Sequence, residues 1–419
     1  MKTRNLQIVI IGNGVAGNSA ASAIRKISKE ATITMISQEP FPEYSPCVLS
    51  KRYISGEMKK EDVFLKNFKD YSRDNVKILF GQKVTGLETQ KKKVILETRS
   101  VGYDKMIIAT GGKPLVPPIP GVDKEGIFAL KSLGDAERIY NFNGKKAVVI
   151  GAGPIGVEAS ISLKKRGLKV SLVEQLEQVL PTIFDQEASL IIRKIIEDYG
   201  IDVITGQKAI RFNGDGHIRS VVTEGREIGC DMVVLALGIR PSMELAQKAG
   251  MEIGSLGGIK VNVQMMTNAE DVYACGDCVE SRDAITGKDI LYLLWHNAKQ
   301  QGDIAGYNSI GIRKNYSGAM NISVVDILGT YAVSIGHTME SFKGVGLRII
   351  EDKRNGYHRL LIANGIIVGA QIIGRTADIG PLISVILRRD NLENIKRIIG
   401  EGNLLSKYLW CYMLYPYIK

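Results

Sequence analysis

Apolar residues gather twice into the same pattern. Residues 6–17 (LQIVIIGNGVAG) and 145–156 (KKAVVIGAGPIG) each run from an apolar stretch into a glycine-spaced turn. A helix-compatible stretch follows each turn, at 18–29 and at 157–166, and then a short β-rich run that ends near an acidic residue. That order predicts two β-α-β units and two parallel sheets. Between them residues 113–121 (KPLVPPIPG) are proline-rich. They cannot continue a helix or a central strand, and they read as an interdomain linker. Residues 231–238 read as the last strand of the second unit, whereas 267–277 form a strand and turn of different character, which makes the first unit discontinuous. Beyond residue 316 the pattern becomes β-rich, at 322–328, 346–351, 358–362 and 366–373, and it closes on a helical pattern around 381–387. A third, α+β domain is the simplest expectation.

The chain has 419 residues, 45% hydrophobic and 24% charged, which is an ordinary globular composition with material for two or three domains. The apolar run near the N-terminus leads straight into a glycine turn, so secretory export is not expected and a cytoplasmic location is. The longest uncharged stretch, 360–374, includes Asn364, Gln371 and three glycines. It falls short of the ~20 apolar residues a spanning helix needs, so no membrane span is expected. Five cysteines suggest no disulfide framework. The net charge of +11 suits an acidic protein, anionic lipid or nucleic acid. Because the basic residues lie in short scattered groups without interleaved aromatics, nucleic acid is the weakest of these and is not expected as a partner.

The glycines carry the first chemistry. In Gly12-Asn13-Gly14-Val15-Ala16-Gly17 the first glycine permits a tight strand-to-helix turn. The second lets a pyrophosphate approach the backbone, and the third lets helix and strand pack closely. Glu39 stands at the right distance to accept hydrogen bonds from a ribose, with Ser37 and Gln38 as competing candidates. In Gly151-Ala152-Gly153-Pro154-Ile155-Gly156 the same logic recurs. Glu174 follows the next strand with no Lys or Arg in the next several residues, an arrangement that favours NAD(H) over NADP(H). The fold expected is α/β, with two Rossmann-type dinucleotide-binding domains and a C-terminal α+β domain.

Three further segments accompany these turns. Residues 106–114 (MIIATGGKP), 236–241 (ALGIRP) and 267–277 (TNAEDVYACGD) occur in that order along the chain. With them, residues 5 to 375 resemble the two-dinucleotide flavoprotein reductases related to the pyridine nucleotide-disulfide oxidoreductases. The resemblance implies FAD in the first domain, 1–118 with 246–318, and NAD(H) in the second, 119–245, with an interface domain at 319–419. It implies that Gly12, Gly14, Ala16, Gly17, Glu39, Lys51, Ala109, Thr110, Gly111, Gly276, Asp277 and Trp295 contact FAD. NAD(H) falls to Gly151, Gly153, Ile155, Gly156, Glu174 and Gly238. Trp295 would shield the ring edge, and His296 is either a proton donor near the flavin or a structural histidine.

The subgroup turns on residues 44–51 (YSPCVLSK). No second cysteine follows Cys47 at the spacing of the disulfide reductases. The segment is similar to the Y-x-x-P-x-L-S-K pattern of ferredoxin and rubredoxin reductases, which favours a structural Cys47. The NADH oxidase, peroxidase and coenzyme A-disulfide reductase branch is the alternative, and there the same cysteine is redox-active. By resemblance Lys51 would sit beside the central ring of the flavin with Glu158 as its partner, because a buried charge needs one. Cys275 and Cys278 form a CxxC within the second FAD segment and read as small buried residues. No metal site is expected.

The implied activity is FAD-dependent NADH oxidoreduction, with electrons passing to an iron–sulfur protein or subunit. An NADH-responsive flavoprotein with a binding or signalling role is a third possibility, and a homodimer is another open arrangement. Residues 408–418, uncharged and aromatic-rich, are expected to contribute to a partner contact, to pack on the third domain or to join a homodimer.

Overall fold

Both glycine turns grow out of strands whose residues are apolar on both faces, the pattern of a parallel sheet covered from either side. The computed structural model describes residues 6–342, 347–352, 356–374 and 379–391. Contacts group the chain into two units. The expected contribution of residues 408–418 lies outside the described residues.

Among the described residues, the first unit comprises 6–48, 58–114 and 239–319. Its five-stranded sheet has the order Val272–Ala274, Lys105–Ile108, Gln7–Ile11, Thr32–Ile36, Val76–Leu79, with every pairing parallel. The late segment Val272–Ala274 therefore completes a sheet begun at residue 7. Helices Val15–Ile27 and Trp295–Ser309 pack against each other through small residues: a Cβ on Gly302 would lie 2.2 Å from the Ala16 carbonyl oxygen, and one on Gly306 would lie 2.5 Å from that of Ala20. The two expected crossing segments run together, Gly112–Pro114 pairing antiparallel with Ile239–Pro241.

Among the described residues, the second unit comprises 49–57, 115–238 and those from 320 to 391. Its parallel sheet has the order Asp202–Ile204, Lys169–Val173, Lys146–Ile150, Met232–Leu235, Ile127–Ala129. The same unit holds an antiparallel sheet in the order Ile322–Ile327, Thr330–Gly336, Ile366–Gly374, Gly356–Ala363, Arg348–Asp352. Helix Ile379–Arg388 packs on it, where the 381–387 pattern predicts one. Asp185, the N-cap of helix Gln186–Asp198, ties this sheet to that helix. Its carboxylate accepts from the Arg359 guanidinium at 3.2 Å, from Gln371 Nε2 at 2.8 Å and from the Met339 amide at 3.0 Å. Among the described residues no helix is long and apolar enough to cross a membrane.

Candidate functional site

The two glycine turns are built alike. Gly12 and Gly151 have φ of +118° and +100°, which glycine adopts without penalty. A Cβ on Gly12 would lie 2.1 Å from the Ala109 carbonyl oxygen, and one on Gly151 would lie 2.5 Å from that of Ala236. A Cβ on Gly17 would lie 2.1 Å from the Gly12 oxygen and one on Gly156 would lie 1.8 Å from the Gly151 oxygen, so helix and strand meet backbone to backbone. The middle glycines differ. A Cβ on Gly14 or Gly153 would meet nothing within 4 Å. Packing inside the protein does not call for glycine there, whereas close approach by a ligand does.

The helices start inside the motifs, at Val15 and Pro154, three residues earlier than the 18–29 and 157–166 stretches predict. Gly14 and Gly153 occupy the N-cap positions, neither helix start has a side-chain cap, and neither first turn carries an acidic residue. Their leading amide groups are left for an anion, and the helix dipole favours one. These residues fit the diphosphates of FAD and of NAD(H).

Around the first turn the structure brings together Gly12, Ala16, Gly17, Ala109 and Gly276, the last with φ of +81° and a would-be Cβ 2.8 Å from the Ala16 methyl. The Gly276 amide donates to Gln301 Oε1 at 2.8 Å. Thr110 donates its hydroxyl to the Ser242 carbonyl at 2.8 Å, and the Ser242 amide donates to Gly111 at 2.9 Å. Glu39 is half-buried and accepts from the Tyr44 hydroxyl at 3.0 Å, while Ser37 is buried and donates to the Glu39 carbonyl. Asp277 is half-buried. Trp295 is exposed at the first turn of its helix. A network that sequence reasoning missed braces the turn. Asn13 Oδ1 accepts from the Tyr71 hydroxyl at 2.8 Å and from Asn18 Nδ2 at 3.0 Å. Asn18, next to the last glycine, was the available signal.

Around the second turn Glu174 is buried, and its two oxygens accept from the amides of Ala152, within the glycine motif, at 2.7 Å and of Leu176 at 2.9 Å. Gly238 has φ of +92° and accepts from the Leu115 amide. Ile155 is exposed at the helix start. In the same unit, Glu158 on helix Pro154–Lys165 is 5% exposed and lies 3.1 Å from the Lys51 ammonium. Burial pushes its carboxyl up, while Lys51 and the Ser50 hydroxyl, 2.6 Å away, pull it back.

The cysteines divide. Cys275 and Cys278 are fully buried, as expected, and burial raises both thiols, so they stay protonated; Cys278 Sγ donates to the Cys275 carbonyl at 3.2 Å. Cys47 lies in the 3₁₀ turn Pro46–Val48, which buries none of its three residues, and is itself exposed. No group of acids, histidines and cysteines able to hold a metal occurs among the described residues.

Two Rossmann sheets with paired glycine turns define a protein that binds two dinucleotides. The chain belongs to the pyridine nucleotide-disulphide oxidoreductase family, whose model matches residues 6–302. It is an FAD-dependent NAD(P)H oxidoreductase taking FAD and NAD(H). It is 36% identical over 333 residues to an NADH oxidase of Methanocaldococcus jannaschii, covering 77% of this chain and 74% of the relative. It is 29% identical over 395 residues to the NADH-dependent phenylglyoxylate dehydrogenase subunit epsilon of Aromatoleum evansii, covering 93% of each. It spans about half the length of two further curated relatives, 51% and 48%. Among solved structures, an NAD-dependent persulfide reductase from A. fulgidus matches with a TM-score of 0.88 at 28% identity, covering 98% of this chain and 83% of that one.

Proposed function

We propose that the protein takes electrons from NADH and passes them to an iron–sulfur protein or iron–sulfur subunit, with Lys51 and Glu158 as the charged pair that serves hydride transfer. The observation that carries this reading is the ion pair itself, a carboxylate 5% exposed and 3.1 Å from an ammonium on the turn Leu49–Tyr53. The ammonium is 31% exposed but the carboxylate is buried, and a buried carboxylate is costly to keep and suggests a use. When bound, FAD would supply hydride-accepting and one-electron-donating chemistry, for which the protein would supply position and electrostatics. Gly12, Gly14, Ala16, Gly17, Glu39, Ala109, Thr110, Gly111, Gly276, Asp277 and Trp295 hold FAD in this reading. Gly151, Gly153, Ile155, Gly156, Glu174 and Gly238 hold NAD(H). Lys51 would supply fixed positive charge beside the flavin, and Glu158 would orient that charge. A relative of matching length, named as a subunit of an NADH-dependent dehydrogenase, supports an electron-transfer role.

The test is steady-state NADH oxidation with an iron–sulfur protein of the ferredoxin type, with dye and with oxygen. Turnover with the iron–sulfur protein should exceed turnover with oxygen, and the reverse order would overturn the assignment. Lys51→Met should slow flavin bleaching by NADH by about tenfold, roughly 1.4 kcal/mol, with FAD retained. Unchanged kinetics would remove Lys51 from the reaction.

The exposure of Cys47 favours a second reading, that of an NADH oxidase, peroxidase or coenzyme A-disulfide reductase working through this thiol. Cys47→Ser separates the two. Retained NADH-dependent reduction of the iron–sulfur protein supports electron transfer through flavin alone. Loss of turnover with flavin bleaching intact supports the thiol.

A further inference from the structure

Glu158 and Ser162 stand four residues apart on helix Pro154–Lys165, one turn apart on one face, and both reach the segment Leu49–Tyr53 of the same unit. That segment is a single wide helical turn, with the Ile54 amide bonded to the Leu49 carbonyl at 3.1 Å. Wide turns of this kind recur at functional sites and leave carbonyls without a regular partner. Ser162 supplies one: its hydroxyl lies 2.6 Å from the Ser50 carbonyl oxygen and 2.8 Å from that of Lys51. From the other side, Ser50 donates its hydroxyl to Glu158 Oε2 at 2.6 Å, and the Lys51 ammonium lies 3.1 Å from Oε1. Each carboxylate oxygen thus has its own donor, and the two donors are adjacent residues of one turn. Ser50 is 1% exposed, as is Ser162.

We infer that Ser50 is a positioning residue that fixes Glu158 against Lys51, and that Ser162 is a second one that fixes the turn on which Lys51 stands. The inference rests on the proposed use of the Lys51–Glu158 pair in hydride transfer. Neither serine touches the reacting atoms; each acts through the pair. The charged groups that act on Glu158 are Lys51, on the turn, and more weakly Asp326, on strand Ile322–Ile327. Burial and Asp326 favour the neutral carboxyl, whereas the ammonium and the Ser50 hydroxyl favour the carboxylate. Removing the hydroxyl deletes a hydrogen bond to a charged group. The pH at which Glu158 deprotonates should then rise by about one unit.

The holoenzyme provides two readouts. One is the infrared carboxyl band that Glu158→Gln abolishes, followed against pH. The other is the rate of flavin bleaching by NADH across the same pH range. Ser50→Ala should move the titration of the band up by about one pH unit, and the rising limb of the bleaching rate should move with it. Ser50→Thr should restore both, and Ser50→Cys, a weaker donor of similar size, should give a smaller shift of the same sign. Ser162→Ala should slow bleaching and leave the titration where it was. A titration unmoved in both Ser50→Ala and Ser50→Cys overturns the role of Ser50, and wild-type bleaching in Ser162→Ala overturns that of Ser162. If the titration moves while the bleaching profile stays fixed, Ser50 holds Glu158 as inferred, and it is the use of the pair in hydride transfer that fails.

Discussion

Glu43 is 8% exposed, and burial raises its carboxyl from the ordinary 4.5 to about 7, against the opposing pull of Lys66. Its backbone is held independently, the amide donating to the Tyr71 hydroxyl and the carbonyl accepting from Leu65 and Lys66. The folded protein holds this proton more tightly than the unfolded chain does. Its contribution to stability is therefore complete below pH 4.5 and is lost as pH rises through about 7. By pH 8 the loss is on the order of 3 kcal/mol. Glu43→Gln should flatten that decline in chemical denaturation between pH 5 and 8, and a parallel decline in the variant would refute the cause. At Glu174 the expected outcome is a cofactor preference. The buried carboxylate bound to the Ala152 amide would face a 2′-phosphate, and such like-charge placement costs several kcal/mol. NADH should exceed NADPH in kcat/KM by on the order of 100-fold in a steady-state comparison. Glu39, Glu174 and the glycines could be found from local spacing alone. Ser50 and Ser162, and Asn13 with Tyr71, could not. Their bonds join positions 58 to 112 residues apart and depend on how turns are placed. Cys47 shows the limit in another way, because residue type and motif register carry no information on its exposure.

The strand-turn-helix element divides its glycines by purpose, and that division can be tested. Gly17 and Gly156 approach backbone oxygens closely, whereas Gly14 and Gly153 have open space. Gly14→Ala should leave the melting temperature of the apoprotein unchanged while weakening FAD retention. Gly153→Ala should do the same for the KM of NADH, by about tenfold. Gly17→Ala and Gly156→Ala should lower the melting temperature outright, since helix and strand must separate. Equal melting losses at all four positions would show that the middle glycines serve the fold. At this scale the fold is legible in the sequence, because apolar runs and glycine spacing are local signals. The helix starts were misplaced by three residues, since glycine reads as a breaker until it is seen as a cap.

Across the whole molecule, a charge of +11 predicts that, under the proposed function, electron transfer to an acidic iron–sulfur partner slows as salt rises from low to physiological ionic strength, with a screening length of roughly 10 Å. Flavin bleaching by NADH should change much less, and equal salt dependence of the two steps would argue against steering of a protein partner. The arrangement of strands also bears on how the chain acquires its structure. All five strands of the second parallel sheet lie between Ile127 and Leu235, whereas the first sheet waits for Val272–Ala274 and for the helix Trp295–Ser309 that packs on Val15–Ile27. During synthesis the first glycine turn therefore emerges long before its own sheet can close, and the second sheet is complete while the first still shows an open edge. Contacts so distant in sequence are slow to form, and an unclosed edge invites pairing with other chains. In pulse-labelled refolding, amides of Lys146–Ile150 should be protected before those of Lys105–Ile108, and FAD capture should follow the later event.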